Sequence, residues 1–117
     1  MLIDHENVRK YTQQLIINPF MGHDEQFRNI IDPSLEETVK EFAKIDGAFV
    51  IRDDGVILSC GTFISGALKD NRLPSGLGAR HAAALSITVV TNAFSVALSE
   101  STRKISVYHS GQKIVEM

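Results

Sequence analysis

The stretch Leu73-Pro74-Ser75-Gly76-Leu77-Gly78-Ala79-Arg80-His81-Ala82-Ala83-Ala84-Leu85 constrains the fold more than any other part of the chain. Pro74 and the glycines after it form a turn signal, and the Ala- and Leu-rich residues that follow have high helix propensity. A chain that turns here and then enters a helix places Arg80 and His81 at or near the first helical turn. The first amides of a helix lack internal partners, and that end carries partial positive charge. A guanidinium and an imidazole added there give an anion site, and phosphate is the anion that suits it. The same pattern also fits an ordinary turn before a solvated helix start. The glycine spacing matches neither a Walker A loop nor the dinucleotide G-x-G-x-x-G fingerprint.

Composition bounds the rest. A chain of 117 residues is expected to be a single domain with one sizeable core, and 44% hydrophobic with 22% charged residues reads as globular. A formal net charge of −2 offers no basic footprint and argues against general nucleic-acid binding. The single cysteine, Cys60, excludes an internal disulfide and reads as a small core residue in an apolar run. No apolar run approaches the ~18 residues of a membrane span. Asp4, His5 and Glu6 stand where a signal peptide needs apolar residues, so the expected compartment is the cytoplasm, for a free-standing chain or a piece cut from a larger one.

Taken in order, residues 4–17 predict a helix, with Val8, Tyr11, Leu15 and Ile16 as its apolar stripe. Asn18-Pro19 ends it. Phe20 to Glu25 reads as a polar loop; His23, Asp24 and Glu25 are adjacent, which suits a solvated loop better than one metal ion. Asp32 before Pro33 starts a second helix to about Lys44, with Leu35, Val39 and Phe42 buried. From Asp46 the period changes. Gly47 to Ile51 reads as a buried strand, Asp53-Asp54-Gly55 as a hairpin turn with a positive φ at Gly55, and Val56 to Phe63 as the returning strand. Ser65 to Arg72 reads as a surface loop. The Arg-His helix is expected to reach about Val90 with Ala84, Ile87 and Val90 inward. Strands at Ala93–Leu98 and Lys104–His109 follow, and Ser110-Gly111-Gln112 turns the chain into a last strand from Lys113. The expected class is α/β: a central mixed β-sheet flanked by helices.

Three polar groups stand at the ends of apolar elements, where sites on sheets form. Asp46 precedes the central strand, and Gly47 after it allows a ligand close to the backbone. Arg80 and His81 are the second group, Ser99 and Glu100 the third. Alone, each also reads as a turn or cap residue. Together, an acid, a cationic clamp and a second acid suit metal-assisted phosphoryl or nucleotidyl transfer.

The order Asp46-Gly47-Ala48, Leu73-Pro74, Gly78-Ala79-Arg80-His81, Ser99-Glu100 and a terminal strand–Gly–strand resembles the diadenylate cyclase domain. The resemblance covers about residues 35–117, with 1–34 as an N-terminal helix and loop of the same single domain. It implies condensation of two ATP into cyclic di-AMP with release of two pyrophosphates, assisted by Mn2+ or Mg2+. It further implies a homo-oligomer whose active sites form face to face between subunits. Carried onto this chain, Asp46, Arg80 and His81 are the catalytic residues. Gly47, Ala48, Leu73, Gly78, Ala79, Arg80, His81 and Ser99 contact ATP, and Asp46 and Glu100 are the metal candidates.

The departures are specific. The family's Arg-His-Arg is Arg80-His81-Ala82 here, which removes one cation and implies either weaker ATP binding or transfer of its role to Arg72, Arg103 or Lys104. Ala79 stands for the usual Thr, Ile45 for His, and Ser101 for the second Glu of Ser-Glu-Glu. In these features the chain resembles archaeal-type members. Ala82 keeps a second reading open, a catalytically silent module that binds ATP or cyclic di-AMP. An oligomerisation domain without a ligand is the third.

Overall fold

The computed structural model describes residues 5–65 and 78–117. The expected loop beyond Ser65, the Pro74–Leu77 turn and the adenine candidate Leu73 lie outside the described residues. In chain order the elements are α1 (His5–Val8), a 3-10 turn (Arg9–Tyr11), β1 (Thr12–Gln14), α2 (Glu36–Phe42), β2 (Ala48–Ile51), β3 (Ile57–Ile64), α3 (Ala79–Val90), β4 (Phe94–Leu98), β5 (Ile105–His109) and β6 (Gln112–Glu116). Two short 3-10 turns, Glu25–Phe27 and Pro33–Leu35, punctuate the segment before α2.

The α/β class holds, but the described strands form two three-stranded sheets where one central mixed sheet was expected. Their orders are β1-β3-β2 and β4-β5-β6. All four strand pairings within them are antiparallel. The connections explain this. Tight turns join β2 to β3 and β5 to β6, and such turns can only reverse the chain, whereas parallel neighbours need a long crossover. Gly55 sits at φ +97 in the first hairpin, as expected. Ser110 and Gly111 both take positive φ in the second, the conformation of a two-residue hairpin turn.

The N-terminal helix is much shorter than its stripe predicts. It stops at Val8, the 3-10 turn ends at Tyr11, and residues 12–14 become the edge strand on β3, with Thr12 opposite Ile64 and Gln14 opposite Thr62. Tyr11 and Thr12 have weak helix and strong strand propensity, and an available sheet edge decides the matter. The Gln14 side chain locks the strand: it donates to the Cys60 carbonyl (2.9 Å) and accepts from the Thr62 hydroxyl (2.6 Å). Only the first half of the stripe is inward. Val8 is buried, while Leu15 and Ile16 are exposed.

Helix α3 ties the two sheets together. Its Ala84 and Leu85 pack with Ala97 and Tyr108 of the second sheet. Ile87 packs with Val8, Val50 and Ala93, which carries the contact to α1 and the first sheet. Small alanines on α3 allow this close approach, and the Ser95 hydroxyl donates to the Ala84 carbonyl at 2.5 Å. On the far side of the first sheet, Phe20, Ile57 and Cys60 form a third cluster with Leu35, Val39 and Phe42 of the α2 region. Cys60 is a buried core residue, as expected, and burial pushes its thiol pKa up. Asp32 caps the turn before α2 by accepting from the Ser34 amide, which matches the Asp-Pro start signal. Among the described residues, no helix is long and apolar enough to cross a membrane.

Candidate functional site

Helix α3 begins where the turn signal puts it. Gly78 is the N-cap in extended conformation, and the Ala82 amide makes its bond to the Gly78 carbonyl at 2.8 Å. The amides of Ala79, Arg80 and His81 precede that bond, and glycine has no side chain to cap them. The positive end of a twelve-residue helix therefore lies at the α3 tip. Arg80 and His81 both lie in this first turn.

The third predicted group sits beside the second. Helix α3 runs back along β4, so its tip meets the β4 end. The Arg80 Nη1 donates to the Leu98 carbonyl at 3.0 Å, and Nη2 pairs with the Glu100 carboxylate at 3.2 Å. Both side chains are largely exposed, 57% for Arg80 and 82% for Glu100. An exposed single-point pair contributes little and is readily displaced. The phosphate candidate and one metal candidate thus hold each other at the site.

The β4–β5 turn supports this end. The Ser99 carbonyl accepts from the Arg103 amide at 2.8 Å, and the Ser99 hydroxyl accepts from the Thr102 amide at 3.3 Å. Arg103 takes φ +62, which a side chain rarely adopts. Of the substitutes named for the missing cation at Ala82, Lys104 is paired with Glu116 at 3.3 Å, Arg103 is exposed on the turn, and Arg72 lies outside the described residues.

Asp46 is at the start of β2, in the first sheet, with its carboxylate exposed. No hydrogen bond or ion pair joins it to Arg80, His81 or Glu100 among the described residues. Gly47 meets a tight backbone contact with β3. A Cβ there would sit 2.7 Å from the Gly61 carbonyl carbon and the Thr62 nitrogen, at φ +108. The close approach is made by β3, and it is bulged: Ala48 pairs with Thr62, but the register shifts before Val50 pairs with Ser59. Gly61 faces the same constraint, with Ile16 Cγ1 at 2.7 Å from its would-be Cβ. This double-glycine crossing fixes where the Asp46 backbone lies.

Among the described residues, no group of three or more His, Cys, Asp or Glu side chains converges on one point. A hard divalent cation needs no such cage. Mg2+ typically uses one or two carboxylates with phosphate oxygens and water. The free carboxylate of Asp46 fits that mode, and Glu100 fits it once released from Arg80.

Two features lie beyond what the residues alone disclosed. Tyr108 of β5 is buried and meets the His81 ring edge-on, with centroids 6.5 Å apart and planes at 82°. Alternation along β5 put Ile105, Val107 and His109 on one side, and Tyr108 on the other; its reach to His81 depends on how α3 lies on the sheet. Elsewhere, Arg52 grips Glu25 and Asp54 through four hydrogen bonds of 2.7–3.0 Å. Asp54 is held down to about 2 by the Arg52 guanidinium, and Glu25 is lowered by the same partner. Two shallow cavities, of about 260 and 280 Å3, flank α2 and involve none of the predicted site residues.

The chain is thus an α/β domain in which α3 opens with Arg80 and His81 in its first turn, beside Glu100 at the β4 end. A profile of the family described as DisA bacterial checkpoint controller nucleotide-binding matches residues 9–113. The chain belongs to that family. It is 42% identical over 113 residues to a diadenylate cyclase of Methanocaldococcus jannaschii, covering 97% of this chain and 35% of that protein. It is 36% identical over 114 residues to a diadenylate cyclase of Haloferax volcanii, covering 97% of this chain and 41% of that one. It thus spans well under half of each relative's length. A crystal structure of a DacA double mutant from Staphylococcus aureus overlaps it with a TM-score of 0.49, at 34% identity over 58% of this chain and 44% of that one.

Proposed function

We propose that this chain is a diadenylate cyclase domain, residues 1–117 forming one unit that condenses two ATP into cyclic di-AMP. The observation that carries the reading is the α3 tip: the N-terminal turn of residues 79–81 with the Arg80 guanidinium and the His81 imidazole, beside Glu100, in a member of this nucleotide-binding family. The two diadenylate cyclases matched over 97% of the chain support the choice of reaction.

In the proposed reaction, each ribose 3′-hydroxyl attacks the α-phosphorus of the other ATP. A 3′-O–P bond forms, the bond from the α-phosphorus to the bridging oxygen breaks, and pyrophosphate leaves with that oxygen. Arg80, His81 and the tip amides hold the phosphates and offset the charge that develops on them. Ser99 adds a hydroxyl contact, and Gly78 and Ala79 let phosphate approach the backbone. Asp46 takes the hydroxyl proton or directs a divalent cation, Mn2+ or Mg2+; Gly47, Ala48 and Leu73 line the nucleotide. The cation, when bound, screens phosphate charge. Two copies of the chain meet with their sites face to face, because each ATP supplies both nucleophile and electrophile. For a phosphate to bind at the tip, Arg80 exchanges Glu100 for the anion, and the exposure of that pair makes the exchange easy.

The test is incubation of the purified chain with ATP and Mn2+. Cyclic di-AMP is the expected product, with activity rising faster than linearly in protein concentration wherever dimerisation is incomplete. Bound ATP that never turns over would move the assignment to the silent sensor that Ala82 left open.

A further inference from the structure

We propose that Tyr108 is the positioning residue of His81. With ATP bound, the phenol O–H donates to one ring nitrogen of His81, which leaves the other nitrogen carrying its N–H toward a phosphate oxygen. The inference rests on the reading of His81 as a phosphate ligand.

Tyr108 is 2% exposed and packs among Ala84, Leu85 and Ala97. Its hydroxyl is buried and has no hydrogen-bond partner among the described residues. Burying a hydroxyl without a partner is destabilising, and phenylalanine would fill the same space without that penalty. Packing alone therefore does not explain a tyrosine here.

The position of the ring supplies the missing reason. Tyr108 pairs with Ser95 across the sheet, and Ser95 donates to the Ala84 carbonyl, so the Tyr108 backbone lies level with Ala84. The ring nevertheless meets His81, three residues nearer the α3 tip. The ring thus links the core cluster to the His81 ring. A neutral imidazole has one donor and one acceptor nitrogen, so whichever group bonds the acceptor fixes which nitrogen faces the ligand. A buried phenol edge-on to the ring is placed to do this once the ring settles against phosphate. The core residues packed with it, Ala84, Leu85 and Ala97, offer only methyl and methylene surface.

The experiment compares Tyr108→Phe and His81→Ala with the unaltered chain, using 3′-deoxy-ATP, which lacks the attacking hydroxyl. Affinity by titration is measured beside thermal stability, and the His81 tautomer is read from its ring 15N shifts. Tyr108→Phe is expected to melt at the same or a higher temperature and yet bind about three- to tenfold more weakly. In the unaltered chain, nucleotide is expected to drive His81 to a single tautomer; in the variant a mixture should persist. Weak binding by His81→Ala together with unchanged affinity in Tyr108→Phe would overturn the positioning role and leave the phosphate role of His81 intact. Unchanged affinity in His81→Ala would remove the phosphate role and the inference with it. Should Tyr108→Phe not fold, the tautomer in the unaltered chain decides: a mixture at saturating 3′-deoxy-ATP contradicts the proposal.

Discussion

Two arginines in this fold do opposite things with the same chemistry. Arg52 is 26% exposed and satisfies two carboxylates with four hydrogen bonds. It pins the Glu25–Phe27 turn to the β2–β3 hairpin. Arg80 is 57% exposed and spends one bond on a carbonyl and one on Glu100 at 3.2 Å. A forked guanidinium that spends four of its five N–H groups on two acids has little capacity left for a ligand. One held loosely at a helix tip has more. The contrast separates a clasp from a binding group, although both look alike as Arg–carboxylate pairs.

The largest expected effect concerns chemistry. Asp46→Asn should lower cyclic di-AMP formation by about a hundredfold or more, the scale of losing a catalytic acid or base, without moving the melting temperature. An unimpaired variant in a product assay would remove Asp46 from the reaction. Next comes the crossing that places it. Gly47→Ala puts a methyl 2.7 Å from two backbone atoms at a positive φ, and should destabilise by about 3 kcal/mol in denaturant titration. A loss near zero would mean that β3 can retreat, and that the Asp46 backbone is not fixed by this contact.

The clasp makes a prediction with a sign. The Asp54 pKa falls from 3.8 to about 2 in the folded chain, and that of Glu25 is lowered too. A depressed carboxyl pKa stabilises the fold above its unfolded value and loses that contribution as pH falls through the folded one. Arg52→Ala should therefore melt below the unaltered chain at pH 7, with the gap closing between about pH 4 and pH 2. A gap that persists at pH 2 would assign the effect to packing of the Arg52 stem. The smallest effect belongs to Glu100→Gln. Breaking an exposed pair should shift the melting temperature by only about a degree or two. Without added metal, nucleotide affinity should hold or improve, because Arg80 is released. Weaker metal-free binding would mean that Glu100 orients Arg80 for the ligand.

Much of this arrangement was readable from residue order. The Gly78 start of α3, the Asp53-Asp54-Gly55 hairpin, the Asp32 cap and the burial of Cys60 all follow from local signals, each with one dominant physical cause. Residues 12–14 carry a misleading signal, because a helical stripe at Val8 and Tyr11 continues by accident into Leu15 and Ile16. Only the β3 edge, nearly fifty residues away, decides that Thr12–Gln14 is a strand. The sheet division was hidden for the same reason: hairpins are local, but how they assemble is not. At the site, Arg80, His81, Ser99 and Glu100 were each legible as end-of-element polar groups. That Arg80 rests on Glu100, that Gly47 lies tight against β3, and that Tyr108 reaches His81 depend on tertiary placement and leave no trace in spacing.

The account turns on whether the α3 tip holds a triphosphate. Titration of Arg80→Ala and Arg52→Ala with 3′-deoxy-ATP tests this directly. Affinity should fall by about 1.5–3 kcal/mol, roughly ten- to a hundredfold, for Arg80→Ala alone, and stay unchanged for Arg52→Ala measured where it is folded. Equal affinity in Arg80→Ala and the unaltered chain would contradict the claim.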